Sequence, residues 1–305
     1  MVDTINKLTP SEQAAKAEQD AKALLQKYDR ESNFREEIGV WAWVVTFLGI
    51  SLTVFHIYTG YYGTFPSQKQ GAVHLGTALG LIFLLFPLKK GQQVFQKTVP
   101  WYDVLLAFLA MYVTYYKIIN FDSLIQSITW GYDQYDTFLS VIGVLLLLEA
   151  TRRTVGVPIV IVAAIMIGYA LFGNYIPTAT LSHQGYDFTD VTTRLWYRDS
   201  GVFGTPLQIS AKYIYLFLFF GVILVNTRIG QFFNDLAFGL TGRFTGGTAK
   251  AAVVASALQG MVSGSSVGNT VASGSFTIPM MKNSGFKPEF AAGTEASAST
   301  GGQIM

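Results

Sequence analysis

Six stretches of the chain, 39–58, 71–88, 101–119, 134–150, 157–172 and 204–226, are almost uninterruptedly apolar. Crossing a hydrocarbon core of about 30 Å takes about 20 mostly apolar helical residues, so the pattern predicts about six transmembrane helices, the fifth of them short. The fold class is therefore an all-α polytopic membrane protein. Trp41, Trp43, Tyr58, Tyr61, Tyr62, Trp101, Tyr102, Tyr115 and Tyr116 gather at the ends of these stretches, where amphipathic rings anchor at headgroup level. Residues 1–37 are different. They mix charges, with Ala14, Ala17, Ala21, Leu24, Leu25 and Tyr28 recurring at helical spacing, and read equally as a cytosolic solvated helix or as an amphipathic arm on the membrane surface. They lack the basic start and immediate apolar run of a secretory signal. Residues 231–240, with Phe232, Phe233, Leu236 and Leu240 on one side, read as a short surface helix.

A second kind of pattern begins at Ala251. From there to Met281 no side chain is ionisable, and Lys250 and Lys282 bracket the run. About 31 residues would reach about 46 Å as one helix, too long for an ordinary crossing. Folded at its Ser-Gly-rich centre, the run gives two limbs of about 12 to 14 residues, each reaching about 20 Å, near the bilayer midplane. The pattern predicts a re-entrant helical hairpin over 251–281. Its tip can exist only packed in protein or lining a watery cavity, because unpaired backbone is not tolerated in hydrocarbon. Gly293 to Gln303, "GTEASASTGGQ", starts after Pro288 and climbs to the same depth, with an expected unwound point at Thr300, Gly301, Gly302 and Gln303 because consecutive glycines are poor helix formers.

Charge sets the orientation. Lys89, Lys90 and Lys97 follow the second stretch and Arg152 and Arg153 the fourth, whereas the first and third are followed mainly by Lys69 and Lys117. The positive-inside rule then places the N-terminus in the cytoplasm. Asp122, Asp133 and Asp136 fall outside, as does the connection 173–203, whose Trp196 and Tyr197 are expected at the interface. Arg228, Arg243 and Lys250 mark the return to the inside.

Composition adds exclusions: half the 305 residues are hydrophobic, 13% are charged, there is no cysteine, and the formal charge is +2. No disulfide, thiolate metal site or cysteine nucleophile is possible, and the basic excess is too small to point to nucleic acid. Residues 242–250, "GRFTGGTAK", lack Walker spacing, there is no HExxH, and no constellation of an enzyme or cofactor site is found. Glu149, three and four residues before Arg152 and Arg153, reads as a local ion pair, and Glu295 as a deeper and ambiguous acid. His56, His74 and His183 are scattered without ligand spacing.

The chemistry left is that of a half-helix pair. Ends of helices inside a membrane present bare carbonyls to a cation and bare amides to an anion. The tip residues Ser263, Gly264, Ser265, Ser266, Gly268, Asn269 and Thr270 add hydroxyl and amide oxygens, and Ser299, Thr300, Gly301 and Gly302 face them from the second polar stretch. Uncharged oxygens suit a hard monovalent cation, sodium, better than zinc or copper. Gly260, Gly264 and Gly268 also form a GxxxGxxxG run, which serves close helix packing.

Residues 261–305, "MVSGSSVGNTVASGSFTIPMMKNSGFKPEFAAGTEASASTGGQIM", resemble the first hairpin and following broken helix in the large membrane subunit of tripartite ATP-independent periplasmic (TRAP) transporters. The likeness is to the fused permeases served by TAXI-type solute-binding proteins, whose wording is a Ser-Gly-Ser tip, an Ile-Pro-x-Met-Lys exit and Glu-Ala-x-x-Ser-Thr-Gly-Gly-Gln-Ile. Residues 155–172 and 207–230 are similar to early helices of that subunit. The resemblance implies an arm over 1–37, small-subunit-like helices over 38–132 and the first part of the large subunit over 133–305. It further implies a sodium-coupled elevator-type permease of a bacterial or archaeal inner membrane, importing an organic anion such as a carboxylate from a periplasmic TAXI-type binding protein. The tip, Ser263 to Thr270, would supply sodium ligands, joined by Ser299 to Gly302. The family pattern continues past Met305 into further spans and a second hairpin, so the chain is expected to need that C-terminal part as a partner. A channel with a re-entrant loop, or a scaffold whose hairpin merely packs, are the rival readings.

Overall fold

The computed structural model describes residues 34, 35, 37–89, 98–177, 180–227, 229–263 and 266–302. The described residues are helical or connecting; none lies in a strand. The arm expected over 1–37 lies outside them apart from residues 34, 35 and 37.

The chain divides into two compact units, one over 33–216 and one over 217–305 that also takes in the chain's first residues. The first contains α1 (Trp41–Tyr62), α2 (Ser67–Leu85), α3 (Trp101–Ile119), α4 (Phe121–Trp130), α5 (Gln134–Thr154), α6 (Val157–Phe172), α7 (Phe188–Tyr197) and α8 (Thr205–Ile209). A π-helical turn, Ser210–Ile214, joins α8 to α9 (Tyr215–Asn226), within which the division falls. Local signals set several boundaries. Asp133 caps α5 by accepting from the Gln134 amide at 2.7 Å, and Asp187 caps α7 through Thr189 N at 3.1 Å. Gly156, at φ 120°, makes the break between α5 and α6 that an L side chain would strain, and Pro158 starts the next helix.

Five segments are long and apolar enough to cross a membrane: α1, α3, α5, Val157–Tyr175, and Thr205–Leu224 running through the π turn. Their outward residues, such as Phe47, Ile50 and Val54 on α1 and Phe217, Leu218 and Phe220 on α9, are exposed, an arrangement stable only in an apolar solvent. The remaining expected span, α2, is helical but carries Gln68, Lys69, Gln70 and His74, and ten of its 19 residues are buried. It lies closely against α3. Gly76 faces Thr114 and Gly80 faces Met111, and a Cβ at Gly80 would come within 2.9 Å of the Met111 sulfur. Small residues here let two backbones approach.

The connection 173–203 corrects one expectation. Trp196 and Tyr197 are not at the interface; they are 0% and 2% exposed and belong to the core with Phe83, Val113, Leu139, Leu146 and Phe203. The reason is α7, an amphipathic helix that packs its apolar side on α5. Trp196 sits over Gly143, edge-on to Phe203, while Tyr197 donates to the Asp136 carbonyl at 3.0 Å. Lys117 is buried as well, donating to Tyr197 O at 3.0 Å with its Nζ 3.5 Å from the Phe203 ring centre.

At one end of this unit a buried charge network ties four segments together. Asp103 on α3 accepts from Arg35 Nη2 at 2.6 Å and from Arg153 Nη1 at 2.7 Å, all three side chains being fully buried. Glu149 takes both Arg152 (2.7 Å) and Arg153 (2.8 Å), the local ion pair expected from spacing. The guanidinium groups also cap the carbonyls at the end of α2 and just beyond it: Leu84, Phe86 and Leu88.

The second unit holds α10 (Ile229–Thr241), α11 (Gly247–Ser263), α12 (Ser266–Asn283) and α13 (Pro288–Gly302). α10 is the expected short helix, with Phe232, Leu236 and Leu240 exposed along one face. α11, α12 and α13 pack on one another through small residues, among them Ala252, Ala255, Ser256, Ser273 and Ala291. Gly285, at φ 90°, makes the turn between α12 and α13.

Candidate functional site

The uncharged run forms the helical hairpin expected, as α11 and α12 side by side, with limbs of 17 and 18 residues rather than 12 to 14. Pro279 is tolerated inside α12. Gly264 and Ser265, the tip itself, lie outside the described residues. Ser263 closes α11, and Ser266, Gly268, Asn269 and Thr270 form the first turns of α12. α13 stays helical through Thr300, Gly301 and Gly302, so the unwinding expected there is not seen as far as Gly302.

Hydrogen bonding sorts the expected site residues. Thr270 and Thr300 return their hydroxyls to carbonyls one turn back, Ser266 O and Ala296 O, both at 2.8 Å. Asn269 and Ser299, by contrast, meet at Ser256 of α11. Asn269 Nδ2 donates to Ser256 O at 2.8 Å and to its Oγ at 3.1 Å, and the Ser256 and Ser299 hydroxyls lie 2.8 Å apart. Asn269 Oδ1 is buried without a hydrogen-bond partner. Such an orphaned acceptor calls for a ligand or water.

The centre of this cluster is a residue that sequence left ambiguous. Glu295, one turn before Ser299, is 0% exposed. Its Oε1 accepts from Ser256 and Ser299 at 3.1 Å each and closely from Ser273, and its Oε2 accepts from Thr277 at 2.5 Å. Gly274 leaves room for it: a Cβ there would stand 3.1 Å from Glu295 Cγ. Six polar side chains from three helices thus close around one carboxyl, with no ion pair to it among the described residues. A signal existed in the sequence, since Asn269, Ser273 and Thr277 recur every four residues, as do Glu295 and Ser299, drawing two polar stripes at helical period. Beside the cluster, Val253, Phe290, Gly293, Thr294, Ser297 and Ala298 line an open cavity of about 610 Å³.

A different pair also escaped the sequence. His56 on α1 and His74 on α2 meet at 2.9 Å, and His74 reaches Ser210 at 3.2 Å, at the π turn. No group of three or more metal-ligating side chains occurs among the described residues.

Residues 142–305, more than half of the chain, match the family described as Tripartite ATP-independent periplasmic transporter, DctM component. The chain belongs to this family. A DctM component is a membrane permease and not an enzyme. The matched region contains the hairpin, the Glu295 cluster and the helices from within α5 onward. Among curated proteins, this DctM-family chain is 30% identical over 144 residues to Uncharacterized protein y4mL of Sinorhizobium fredii (strain NBRC 101917 / NGR234), covering 47% of the chain. The chain spans about 30% of that relative's length. No solved structure matches it.

Proposed function

We propose that this chain is part of a sodium-coupled, elevator-type TRAP permease of the TAXI-served branch, which imports a small organic anion, a carboxylate, from a periplasmic solute-binding protein. The permease lies in the inner membrane with its N-terminus in the cytoplasm. The observation that carries this reading is the helical hairpin α11–α12 lying within the DctM match. Its junction is the Ser-Gly tip, where two half-helices turn their ends toward one point.

The oxygens present fit a sodium ion. Asn269 Oδ1 is buried and uncommitted, and the remaining donors are hydroxyls and carbonyls, the hard neutral set a monovalent cation takes. Ser263 to Thr270 and Ser299 to Gly302 are the residues that would hold it. Bound there, sodium supplies positive charge beside the substrate carboxylate. Thr294 and Ser297 in the neighbouring cavity offer hydroxyls to such a substrate.

Uptake by vesicles carrying the intact permease and its binding protein tests this. A sodium gradient is expected to drive accumulation, and Ser265→Ala to weaken sodium dependence about tenfold, the effect of losing about 1.4 kcal/mol of ligation. Uptake undiminished in the absence of sodium overturns the coupling. A scaffold predicts that Ser263→Ala and Ser265→Ala change nothing, and a channel predicts a symmetric oligomer around a shared filter.

A further inference from the structure

Glu295 poses a problem that the sodium reading does not absorb. A carboxylate removed from water costs several kcal/mol unless it is neutralised or fully hydrogen-bonded, on the order of the whole stability of a helix pair. The charged groups on the helices packed around it do not neutralise it. Lys250 on α11, Lys282 on α12, Glu289 on α13 and the preceding Lys287 are all exposed, as is Asp235 on α10, which packs on α11.

The hydroxyls around Glu295 have a second property. Each of them has two acceptors within reach. Ser273 Oγ lies close to Glu295 Oε1 and 2.9 Å from Asn269 O; Thr277 Oγ1 lies 2.5 Å from Glu295 Oε2 and 3.0 Å from Ser273 O. Ser256 and Ser299 reach either Oε1 or each other. A hydroxyl has one proton to give, so it serves one acceptor at a time. With the carboxyl ionised, Ser273 and Thr277 turn to it and the anion is satisfied. With the carboxyl protonated, its O–H donates to Thr277 Oγ1, and Thr277 and Ser273 return to their carbonyls one turn back. Both states are hydrogen-bonded without moving a helix. A metal ion is poorly served by the same arrangement, since donated protons already occupy the carboxylate's lone pairs.

We propose that Glu295 is a proton-carrying site. Its carboxylate takes up one proton, forming one O–H bond and gaining one positive charge, and releases it again, while Ser273, Thr277, Ser256 and Ser299 exchange partners. The consequence for transport rests on the permease reading above: a proton crosses with the organic anion, in addition to sodium.

Protonation is tested without transport. In the purified intact permease, infrared difference spectra are recorded across pH for wild type and Glu295→Gln. A carbonyl band of a buried carboxylic acid is expected to titrate in wild type and to be missing in the variant. A titrating band that survives Glu295→Gln, or a Glu295 band that responds to sodium but not to pH, overturns the site. The transport consequence is read in proteoliposomes with the binding protein, under a pH gradient and no sodium gradient. Each pH unit sustains up to about tenfold accumulation per coupled proton, equivalent to about 1.4 kcal/mol. Glu295→Gln is expected to abolish this accumulation while still exchanging internal for external substrate. Accumulation equal to wild type overturns the coupling role. Loss of sodium-driven uptake by every protein instead overturns the sodium reading and leaves the infrared titration to decide this one.

Discussion

Asp103→Ala is expected to destabilise the 33–216 unit by about 3–5 kcal/mol, the cost of removing one member of a buried ionic group and leaving the others in place. The carboxylate stands between two fully buried guanidinium groups, Arg35 at 2.6 Å and Arg153 at 2.7 Å. Without it Arg153 keeps Glu149 and Phe86 O, and Arg35 keeps Leu84 O, but two cations then share an apolar interior with one partly exposed acid. The other side of that acid shows the contrast. Glu149 is 26% exposed, so Glu149→Gln loses only a screened pair, about 1 kcal/mol or less. Thermal unfolding of the intact protein in detergent compares the two. A third variant separates charge from packing: Arg35→Met with Asp103→Leu and Arg153→Met removes the buried charges together and is expected to recover most of the loss. Equal effects of Asp103→Ala and Glu149→Gln would show that burial does not set the strength of this network.

What could be read from the sequence was what periodicity and charge encode. Long apolar runs became α1, α3, α5, α6 and α9, and the uncharged run between Lys250 and Lys282 became a hairpin, because helices in lipid must satisfy their backbone within themselves and so announce their length. The Glu149 pair with Arg152 and Arg153 was readable because it lies within one helix. Contacts between helices were not. His56 and His74 are 18 residues apart, and nothing local marks them as partners. Asp103 and Arg153 are 50 apart. For the site, attention to glycines and serines at the tip drew the eye away from the limbs, where the four-residue stripes of Asn269, Ser273 and Thr277 and of Glu295 and Ser299 converge. The aromatic pair Trp196–Tyr197 misled for a general reason. A Trp-Tyr step between spans looks the same whether it anchors at a headgroup or fills a core, and the difference lies in Gly143, more than fifty residues earlier, which opens the space.

That space makes the second large effect specific. An ideal Cβ at Gly143 would fall 2.3 Å from Trp196 Cε2 and 2.5 Å from Cδ2, so Gly143→Ala must push the indole out of its place against Phe203 or bend α5 from α7. Overpacking of this kind costs about 1–3 kcal/mol. Trp196→Ala empties the same volume and is expected to cost about 3–5 kcal/mol, because a fully buried ring leaves a cavity that three rigid helices cannot close. The two changes should not add. Once the indole is gone the new methyl meets nothing at that position, so Gly143→Ala in the Trp196→Ala background is expected to be near neutral or slightly stabilising, with a coupling of about 1–3 kcal/mol in the double-mutant cycle. Unfolding of the four proteins in detergent measures it. Additive costs would mean that Gly143 serves the flexibility of α5 rather than the seating of Trp196, and that α7 is held on the bundle by Tyr197 and Lys117 instead.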